Sequence, residues 1–491
     1  MNRRMIFYTV GRIAIVEAAL MLLPAVVSLI YLEKSGFSFL ITAAIALVLG
    51  FLLTRFKPKD TSIYAKESFS IVAYAWLLMS LLGALPFVIS GFVPSYIDAF
   101  FETVSGFTTT GASILTDVEA LDKGLLFWRS FTHWIGGMGV LVLVTAVVSN
   151  IGDRSINILK AEMPGPTVGK LLPRSRDTAK VLYIIYIALT FIQIILLRVG
   201  GMPLYDSIVH TFGTAGTGGF GIKNNSIASY SPYLQWVITV FMLLFSINFN
   251  LYYLLLIRKF KTVFKSDELR FFLVMVLCCI AIVTVNIAPL YPSASEALRH
   301  SAFQVSSIVS TTGYATTDFD LWPGLSKSIL MLLMVVGACA GSTGGGLKAA
   351  RVVILLKSVG RELQKLLHPR SVKTVSTEGK KLDDTTLNGV NSYFSIYIIC
   401  IVVIHILLSF EPFDMETNFS APLACFNNIG PGLGKVGPTT NYAAYSGFSK
   451  ILLSFAMLLG RLEIFPLLLG LNPFIWKSKR NKAFKINKTN K

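Results

Sequence analysis

Four short segments of the sequence centre on glycine and recur at comparable intervals along the chain. They are Thr110-Gly111-Ala112-Ser113, Gly218-Gly219-Phe220-Gly221, Thr312-Gly313-Tyr314-Ala315 and Pro431-Gly432-Leu433-Gly434. Glycine adopts backbone conformations that are costly for other residues, so such a loop can turn its carbonyl groups toward one point. A ring of such carbonyls replaces the hydration shell of a cation such as K⁺. The four loops therefore predict a cation-selective pore.

The predicted selectivity-filter residues are the central glycine of each loop and the residue before it. They are Thr110, Gly111, Gly218, Gly219, Thr312, Gly313, Pro431 and Gly432, and K⁺ is expected at all of these except Pro431. In a membrane protein a single glycine is as readily a helix-packing residue. The fourfold recurrence is what favours a pore. Because the four loops differ in sequence, we expect fewer well-formed ion sites than identical loops would give.

A further glycine-rich segment, Gly341-Ser342-Thr343-Gly344-Gly345-Gly346, interrupts a long apolar stretch. Each glycine in a helix costs about 1 kcal/mol relative to alanine, so this run is expected to break the span midway. Backbone that is not helical at membrane depth must be buried in protein or line a water-filled cavity. The segment is a candidate gate below the filter, and a simple kink or close helix contact is the alternative.

Arg461 lies within the last apolar stretch of the sequence. A charge in a span costs roughly 2.5–3.5 kcal/mol on insertion scales and usually marks an ion pathway or an ion pair. As part of the gate, this positive charge would raise the barrier to cation passage. An ion pair with Glu463 or another acidic residue is the alternative. Lys348, which follows the glycine-rich segment, has the length to reach the inner membrane interface.

Two other motifs resemble nucleotide-binding sequences but lack the context that those sites need. Gly432 to Gly437 matches G-x-G-x-x-G without a preceding strand, and Gly341 to Lys348 lacks the lysine and hydroxyl residue of a phosphate loop. The five cysteines and five histidines do not have metal-ligand spacing, and no acidic cluster suggests a catalytic pair. We therefore predict that the protein is not an enzyme and has no catalytic residue.

The composition is that of a membrane protein, because 54% of the 491 residues are hydrophobic and only 14% are charged. A span needs about 20 apolar residues. Spans are predicted at residues 5–31, 36–55, 68–91, 128–150, 180–199, 234–257, 270–290, 325–357, 388–410 and 448–471. Half-length segments that cannot cross are predicted at 96–110, 205–218, 297–312 and 418–431.

The order of these segments predicts an all-α integral membrane fold. Two N-terminal spans precede four pseudo-repeats of span, pore half-helix, filter loop and span around a central pore. The predicted boundaries are 1–60 for the N-terminal pair, 61–153, 154–265, 266–386 and 387–476 for the repeats, and 477–491 for a basic tail. The half-helices would direct the negative ends of their dipoles toward the pore and so favour a cation.

The net charge of +18 is concentrated in particular loops. These are Arg55 to Lys66, Arg154 to Lys180, Arg258 to Arg270, Arg351 to Lys381, and the tail. The positive-inside rule places such loops, and with them both termini, in the cytoplasm. Excess positive charge beside anionic lipid headgroups needs no nucleic-acid partner. We therefore expect a multi-pass protein of the cytoplasmic (inner) membrane.

Six stretches of the sequence resemble the Trk/Ktr/HKT superfamily of potassium transporters, and the TrkH type in particular. They are Ser105-Gly106-Phe107-Thr108-Thr109-Thr110-Gly111-Ala112, His133-Trp134-Ile135-Gly136-Gly137-Met138-Gly139, Ala161-Glu162-Met163-Pro164-Gly165-Pro166, Gly341-Ser342-Thr343-Gly344-Gly345-Gly346-Leu347-Lys348, Asn427-Asn428-Ile429-Gly430-Pro431-Gly432-Leu433-Gly434 and Gly460-Arg461-Leu462-Glu463. The two N-terminal spans also suit the TrkH type.

This resemblance implies K⁺ uptake through a channel-like pore, with Gly341 to Gly346 as an intramembrane gate and Arg461 near it. Gly111 stands where some plant members that transport sodium have serine, which implies preference for K⁺ over Na⁺. The resemblance also implies a homodimer and a cytoplasmic TrkA-type regulatory subunit that binds NAD(H) or ATP/ADP. No covalent cofactor is expected on this chain, and the nucleotide is expected only on that partner.

Two other functions remain open at this stage. A carrier that couples K⁺ to H⁺ or Na⁺ usually has ionisable residues near the membrane midplane, and this sequence offers few. A membrane-embedded enzyme acting on a lipid-linked substrate would need a metal-binding or acid–base constellation at a membrane face.

Overall fold

The computed structural model describes residues 2–58, 64–139, 175–370 and 374–472. Part of the predicted fourth span, most of the Arg154 to Lys180 loop, the Ala161 to Pro166 motif and the basic tail lie outside these residues. The described chain is helical apart from loops and one small hairpin, in which Ser376–Thr377 pairs antiparallel with Lys380–Lys381.

The N-terminal spans pack closely against each other. They consist of Arg3–Leu20 continued by Leu22–Ile30, and of Gly36–Thr54. A Cβ atom built on Gly11 would lie 2.9 Å from the Gly50 carbonyl oxygen, and one on Gly50 would lie 2.9 Å from the Gly11 carbonyl oxygen. Small residues allow this approach of helix backbones in a membrane. Between the two spans, the Glu33 carboxylate accepts hydrogen bonds from the backbone N–H groups of Lys123 and Gly124, and so anchors the pair to the first repeat.

Each of the four repeats contains an outer helix, a short pore helix and an inner helix. The outer helices are Ala65–Ile89, Ser175–Val199, Asp267–Ile287 and Asp384–Leu408. The pore helices are Tyr96–Phe107, Leu204–Ala215, Ala294–Val309 and Met415–Phe426. The inner helices are Lys123–Gly137, Pro232–Ser246 with Phe249–Leu256, Gly324–Val336 with Ala349–Leu367, and Gly447–Arg461 with Phe465–Gly470. One further short helix, Phe260–Phe264, and the 3₁₀ turns Ala288–Leu290, Phe319–Leu321 and Gly434–Val436 lie between these elements.

Three of the four pore helices begin at side-chain caps. Ser95, Ser293 and Asp414 each accept a hydrogen bond from a backbone N–H in the first turn of the helix that follows. Such caps satisfy the unpaired N–H groups at a helix start. An acidic residue also lies in the first turn of all four pore helices, where it complements the helix dipole.

In the described residues six helices are long and apolar enough to cross a membrane, or seven if one strongly bent pair is counted. The sequence predicted a break only in the inner helix of the third repeat, at the glycine-rich segment. The inner helix of the second repeat also bends, by 91°, between Ser246 and Phe249, where Asn248 caps the next segment by accepting from Asn250 N–H.

The inner helix of the fourth repeat is interrupted as well. Glu463 and Ile464 have φ angles of 52° and 64°, and Pro466 opens the short helix that follows. Both positions are unusual for residues with side chains. Neither break contains a glycine run, and for that reason the composition of these spans did not predict them.

The four repeats close into a ring because the fourth packs against the first. The Lys450 ammonium group lies 2.6 Å from the Asp98 carboxylate, which joins the last inner helix to the first pore helix. The Ser70 hydroxyl donates to the Gly470 carbonyl at 3.4 Å, which joins the first outer helix to the end of the described chain. The structure is therefore an all-α membrane fold of two N-terminal spans and four pseudo-repeats around a central pore.

Candidate filter and intramembrane loop

Three residues after the end of each pore helix, a backbone N–H donates a hydrogen bond to a carbonyl of that helix. These hydrogen bonds run from Thr110 to Ser105, from Gly218 to Gly213, from Thr312 to Ser307 and from Ile429 to Ala424, at 2.8–2.9 Å. They define one register for all four loops. In this register Thr110, Gly218, Thr312 and Ile429 are equivalent, and a glycine follows each of them.

Backbone angles give the same register. The residue before each of these four has a positive φ angle: 56° at Thr109, 54° at Thr217, 61° at Thr311 and 56° at Asn428. The glycine after each has one too: 79° at Gly111, 78° at Gly219, 82° at Gly313 and 96° at Gly430. This alternation turns successive carbonyl groups toward the same side of the loop, and it requires glycine where φ is most positive.

The structure corrects the predicted register of the fourth loop. Ile429 and Gly430, rather than Pro431 and Gly432, have the backbone conformation of the other three predicted filter pairs. Gly432 lies beyond this level, where its N–H donates to the Val436 carbonyl at 2.7 Å. Glycine occurs at positions 430, 432 and 434, so the sequence alone offered three candidates for the central glycine of this loop. The position at which the pore helix ends identifies Gly430.

The four central glycines interlock around the ring. A Cβ atom on Gly111 would collide with the carbonyl oxygen of Gly218, one on Gly219 with that of Thr312, and one on Gly313 with that of Ile429. A Cβ atom on Gly430 would lie 2.6 Å from the Thr110 carbonyl oxygen, which closes the circle. Real Cβ atoms stay beyond 3.0 Å. Each central glycine and the residue before it form a pair, and we call the four pairs together the carbonyl ring.

An open vestibule lies on one side of the carbonyl ring. Its wall includes all four central glycines, together with Ser113, Asn224 and Tyr442 from the segments that follow the loops. The pore helices end on the opposite side, so the negative ends of their dipoles face the ring. Carbonyl oxygens and helix C-termini both favour a cation at this point.

A buried ion pair supports the first two loops from behind. Arg129 lies 2.7 Å from the Glu102 carboxylate, and both side chains are buried. Glu102 also accepts from the Ser113 hydroxyl and from the Ile114 N–H, while Arg129 donates to the Gly221 carbonyl at 3.2 Å. The pair therefore joins a pore helix to the outer ends of two different loops.

His133 makes a second connection between the first two repeats. Its Nε2 atom accepts from the Phe220 N–H at 3.2 Å, so its Nδ1–H donates to the Gly106 carbonyl at 2.7 Å. Behind the third loop, the Tyr314 hydroxyl lies 3.2 Å from the carbonyls of His210 and Phe220. Sequence reasoning missed these supports. The available signal was the presence of Glu102 and Arg129 in otherwise apolar helical segments.

Residues 337–348 form an intramembrane loop directly below the carbonyl ring. The Gly345 N–H donates to the Thr311 hydroxyl at 2.6 Å, and a Cβ atom on Gly344 would lie 2.8 Å from the Ser310 carbonyl oxygen. These contacts are with residues that precede the ring in the third loop. The predicted gate segment, Gly341 to Gly346, therefore lies on the side of the ring from which the third pore helix approaches.

The intramembrane loop also fills the bend of the second repeat. Cys339 N–H donates to the Ser246 carbonyl at 3.1 Å, and the Thr343 hydroxyl donates to the Phe245 carbonyl at 3.1 Å. In return, the Phe249 N–H donates to the Gly341 carbonyl at 3.0 Å. A helix break leaves backbone groups without partners, and the loop supplies those partners here.

Arg461 joins three backbone carbonyls on two elements. Its guanidinium group donates to the Thr343 carbonyl of the intramembrane loop at 2.8 Å. It also donates to the carbonyls of Gly136 and Gly137, where the first inner helix ends. A helix C-terminus carries partial negative charge and favours a cation. Arg461 thus connects the loop to the first repeat at the level of the predicted gate.

Two other charged residues near the loop differ from expectation. Glu463 forms its ion pair with Arg351, so the alternative of a pair between Glu463 and Arg461 does not describe this structure. Arg351 also lies 3.9 Å from the ring centre of Tyr393. Lys348 is buried and donates to the Gly344 carbonyl within the loop, rather than extending to the membrane interface.

The fold and this site define a class: a multi-pass α-helical membrane protein whose four repeats surround a central pore. Residues 35–478 match the family model TrkH, described as a cation transport protein. The chain belongs to the TrkH family.

Individual relatives match over nearly the whole chain. It is 36% identical over 484 residues to the Trk system potassium uptake protein TrkH of Salmonella typhimurium, covering 97% of this chain and 100% of the relative. It is 36% identical over 484 residues to TrkG of Escherichia coli K12, covering 97% and 99%. The crystal structure of the potassium transporter TrkH from Vibrio parahaemolyticus matches with a TM-score of 0.87 at 33% identity, over 97% of this chain and 100% of the other.

Proposed function

We propose that this chain takes up potassium across the cytoplasmic membrane through a channel-like pore whose selectivity filter is the carbonyl ring. The observation that carries the proposal is the closed circle in which each central glycine abuts a carbonyl of the next loop. A ring of backbone carbonyls coordinates a dehydrated K⁺ ion. The names of the relatives, which are potassium uptake proteins, support the same ion.

In this proposal the K⁺-binding residues are the four pairs of the carbonyl ring. They are Thr110, Gly111, Gly218, Gly219, Thr312, Gly313, Ile429 and Gly430, so Ile429 and Gly430 replace Pro431 and Gly432 of the sequence prediction. K⁺ is the transported ion and not a resident cofactor. Sodium, which is smaller, would be coordinated less well by a ring held at a fixed width.

The proposed gate is the intramembrane loop together with Arg461. Gly341, Ser342, Thr343, Gly344, Gly345 and Gly346 would have to move for ions to leave the ring toward the cytoplasm. The contact between Gly345 and Thr311 supports this role, because it sets the loop against a filter loop. The positive charge of Arg461 adds an electrostatic barrier below the filter.

Regulation and assembly are proposed from family likeness. The chain would work as a homodimer in the inner membrane, with both termini in the cytoplasm. A TrkA-type cytoplasmic protein carrying NAD(H) or ATP/ADP would control the gate. Membership of the TrkH family supports these expectations.

Growth rescue tests the proposed function. The chain is expressed in a bacterial strain that lacks its own potassium transporters, and growth and K⁺ uptake are measured at low external K⁺. We expect both to be restored, and an absence of uptake by a correctly inserted chain would contradict the proposal. Single-channel recording of the purified chain in bilayers then separates a channel from a symport mechanism, since turnover far below channel rates would favour a carrier coupled to H⁺ or Na⁺.

A further inference from the structure

One carboxylate oxygen outside the carbonyl ring accepts hydrogen bonds from both ends of the intramembrane loop. Glu268 Oε1 accepts a hydrogen bond from the Ala340 N–H at 2.6 Å and a second from the Ala350 N–H at 3.1 Å. Ala340 lies in the first part of the loop, and Ala350 lies just after its end, in the first turn of the helix Ala349–Leu367. One side chain therefore holds the two ends of the loop together.

The helix start at Ala350 needs such an acceptor. The first N–H groups of a helix have no partner within the helix. Lys348, which precedes this helix, offers no side-chain acceptor and has a φ angle of 75°. Glu268 belongs to another element, the outer helix Asp267–Ile287, and its carboxylate supplies the missing acceptor from there. A carboxylate at a helix N-terminus also complements the helix dipole.

The position of Glu268 is fixed by the contacts of its neighbours in the sequence. Asp267 forms an ion pair with Lys357 at 2.6 Å, and Lys357 also donates to the Ser376 carbonyl of the hairpin. The Ser266 hydroxyl donates to the Glu378 carboxylate at 2.8 Å. Glu268 itself is only 8% exposed. The carboxylate that contacts the loop is thus part of a helix turn that is anchored to the hairpin of residues 376–381.

We propose that Glu268 is a positioning residue that holds the intramembrane loop closed by accepting the Ala340 and Ala350 N–H groups. This inference rests on the proposed gate, because it concerns the control of the same loop. When the loop opens, its two ends separate, so one carboxylate oxygen cannot keep both N–H groups and at least one of the two bonds must break. Glu268 therefore stabilises the closed arrangement without contacting the ion.

Cys339, the residue before Ala340, offers a readout that does not depend on ion flow. Its side chain is buried. In a background in which Cys278, Cys279, Cys400 and Cys425 are replaced by serine, the rate of thiol labelling by a small methanethiosulfonate reagent measures how often this part of the loop opens. Leak of K⁺ from proteoliposomes, without any regulatory partner, is measured on the same variants.

Three variants separate hydrogen bonding from charge and from misfolding. Glu268→Ala removes the acceptor for both N–H groups. Glu268→Gln removes the charge and keeps an oxygen acceptor. Ala350→Pro removes one donor in the first turn of the helix, where the N–H groups have no partner within the helix, and leaves Glu268 intact. We expect labelling and leak to rise about tenfold in Glu268→Ala, since an unsatisfied buried group shifts an equilibrium by that order, with a smaller rise in Ala350→Pro and little change in Glu268→Gln.

The possible outcomes distinguish this inference from the proposed function. Unchanged Cys339 labelling in a folded Glu268→Ala variant would overturn it, and so would equal labelling in the Gln and Ala variants, because charge rather than hydrogen bonding would then be responsible. If Glu268→Ala accelerates labelling but not leak, Glu268 does hold the loop, and the proposal that the loop is the gate is contradicted. Ala350→Pro supplies the same comparison if Glu268→Ala does not fold.

Discussion

The carbonyl ring and the intramembrane loop below it are held in different ways. Each central glycine of the ring abuts the backbone of the next loop, so four chain segments fix one another. The intramembrane loop is instead held by separate hydrogen bonds: the side chains of Thr311, Arg461 and Glu268 bond to its backbone. Further single bonds join it to the bend of the second repeat. Backbone contacts around a closed circle cannot be released one at a time, whereas side-chain hydrogen bonds can.

This difference in contacts indicates that the carbonyl ring is rigid and that the intramembrane loop can move. The ring, as the proposed filter, must keep its width to distinguish ions, and interlocked backbones favour a fixed width. A gate must have two arrangements of similar energy, and a loop held by a few exchangeable hydrogen bonds can supply them. The ring is further stiffened by Glu102, Arg129 and His133, which lie behind it. The predictions below test whether the ring is as fixed, and the loop as releasable, as these contacts indicate.

The largest effect is expected from a methyl group inside the ring. Gly313→Ala places a side chain at a φ angle of 82° and against the Ile429 carbonyl, so we expect K⁺ uptake to be abolished. Gly201→Ala is the matched control, because Gly201 has a φ angle of 87° but open space around it. It should retain most uptake. Equal loss in both variants, at equal membrane expression, would attribute the effect to backbone strain and not to the ring.

Breaking the support behind the ring should have the next largest effect. Arg129→Ala leaves the buried Glu102 carboxylate without its partner, and removing one member of a buried pair costs about 3–5 kcal/mol. We expect a lower thermal unfolding midpoint in detergent and weaker discrimination against Na⁺. The double variant Arg129→Ala with Glu102→Ala should recover part of the stability, as a double-mutant cycle would measure. Additive losses would show that the two residues do not act as a pair.

A smaller and opposite effect is expected at the loop. Arg461→Ala removes the donor to the Thr343, Gly136 and Gly137 carbonyls together with a positive charge, so K⁺ leak should increase, by about tenfold if one buried hydrogen-bond set is lost. Arg461→Lys keeps the charge but not the planar fork of donors. It should leak less than alanine if charge forms the barrier. Unchanged or reduced leak in Arg461→Ala would contradict a role in the gate.

The sequence predicted the pore helices well because their signals are local. The first was expected at 96–110 and is observed at Tyr96–Phe107, bounded by a serine cap and the glycine loop. Half-length, Ser- and Thr-rich segments between long apolar ones carry that information. The predicted repeat boundaries remain predictions. The fold class, two N-terminal spans and four pseudo-repeats, could also be inferred because the same order of segments recurs along the chain.

The features that the sequence did not predict depend on contacts between distant segments. The break after Ser246 contains no glycine, and its free backbone groups are satisfied by the intramembrane loop from the next repeat. The Glu102–Arg129 pair joins two helices that are separated by the whole first loop. In the fourth loop, three alternating glycines left the register ambiguous until the helix end at Phe426 fixed it.

The fourth loop also provides the most direct test of the central claim, that the carbonyl ring is the selectivity filter. Gly430 closes the ring against Thr110, whereas a side chain on Gly432 would meet mainly the side chains of Ser420 and Val436. The measurement is the ratio of K⁺ to Na⁺ flux into proteoliposomes for Gly430→Ser and Gly432→Ser. The account predicts that Gly430→Ser loses K⁺ selectivity or all flux and that Gly432→Ser keeps its preference for K⁺. Retained selectivity in Gly430→Ser, with loss in Gly432→Ser, would contradict it.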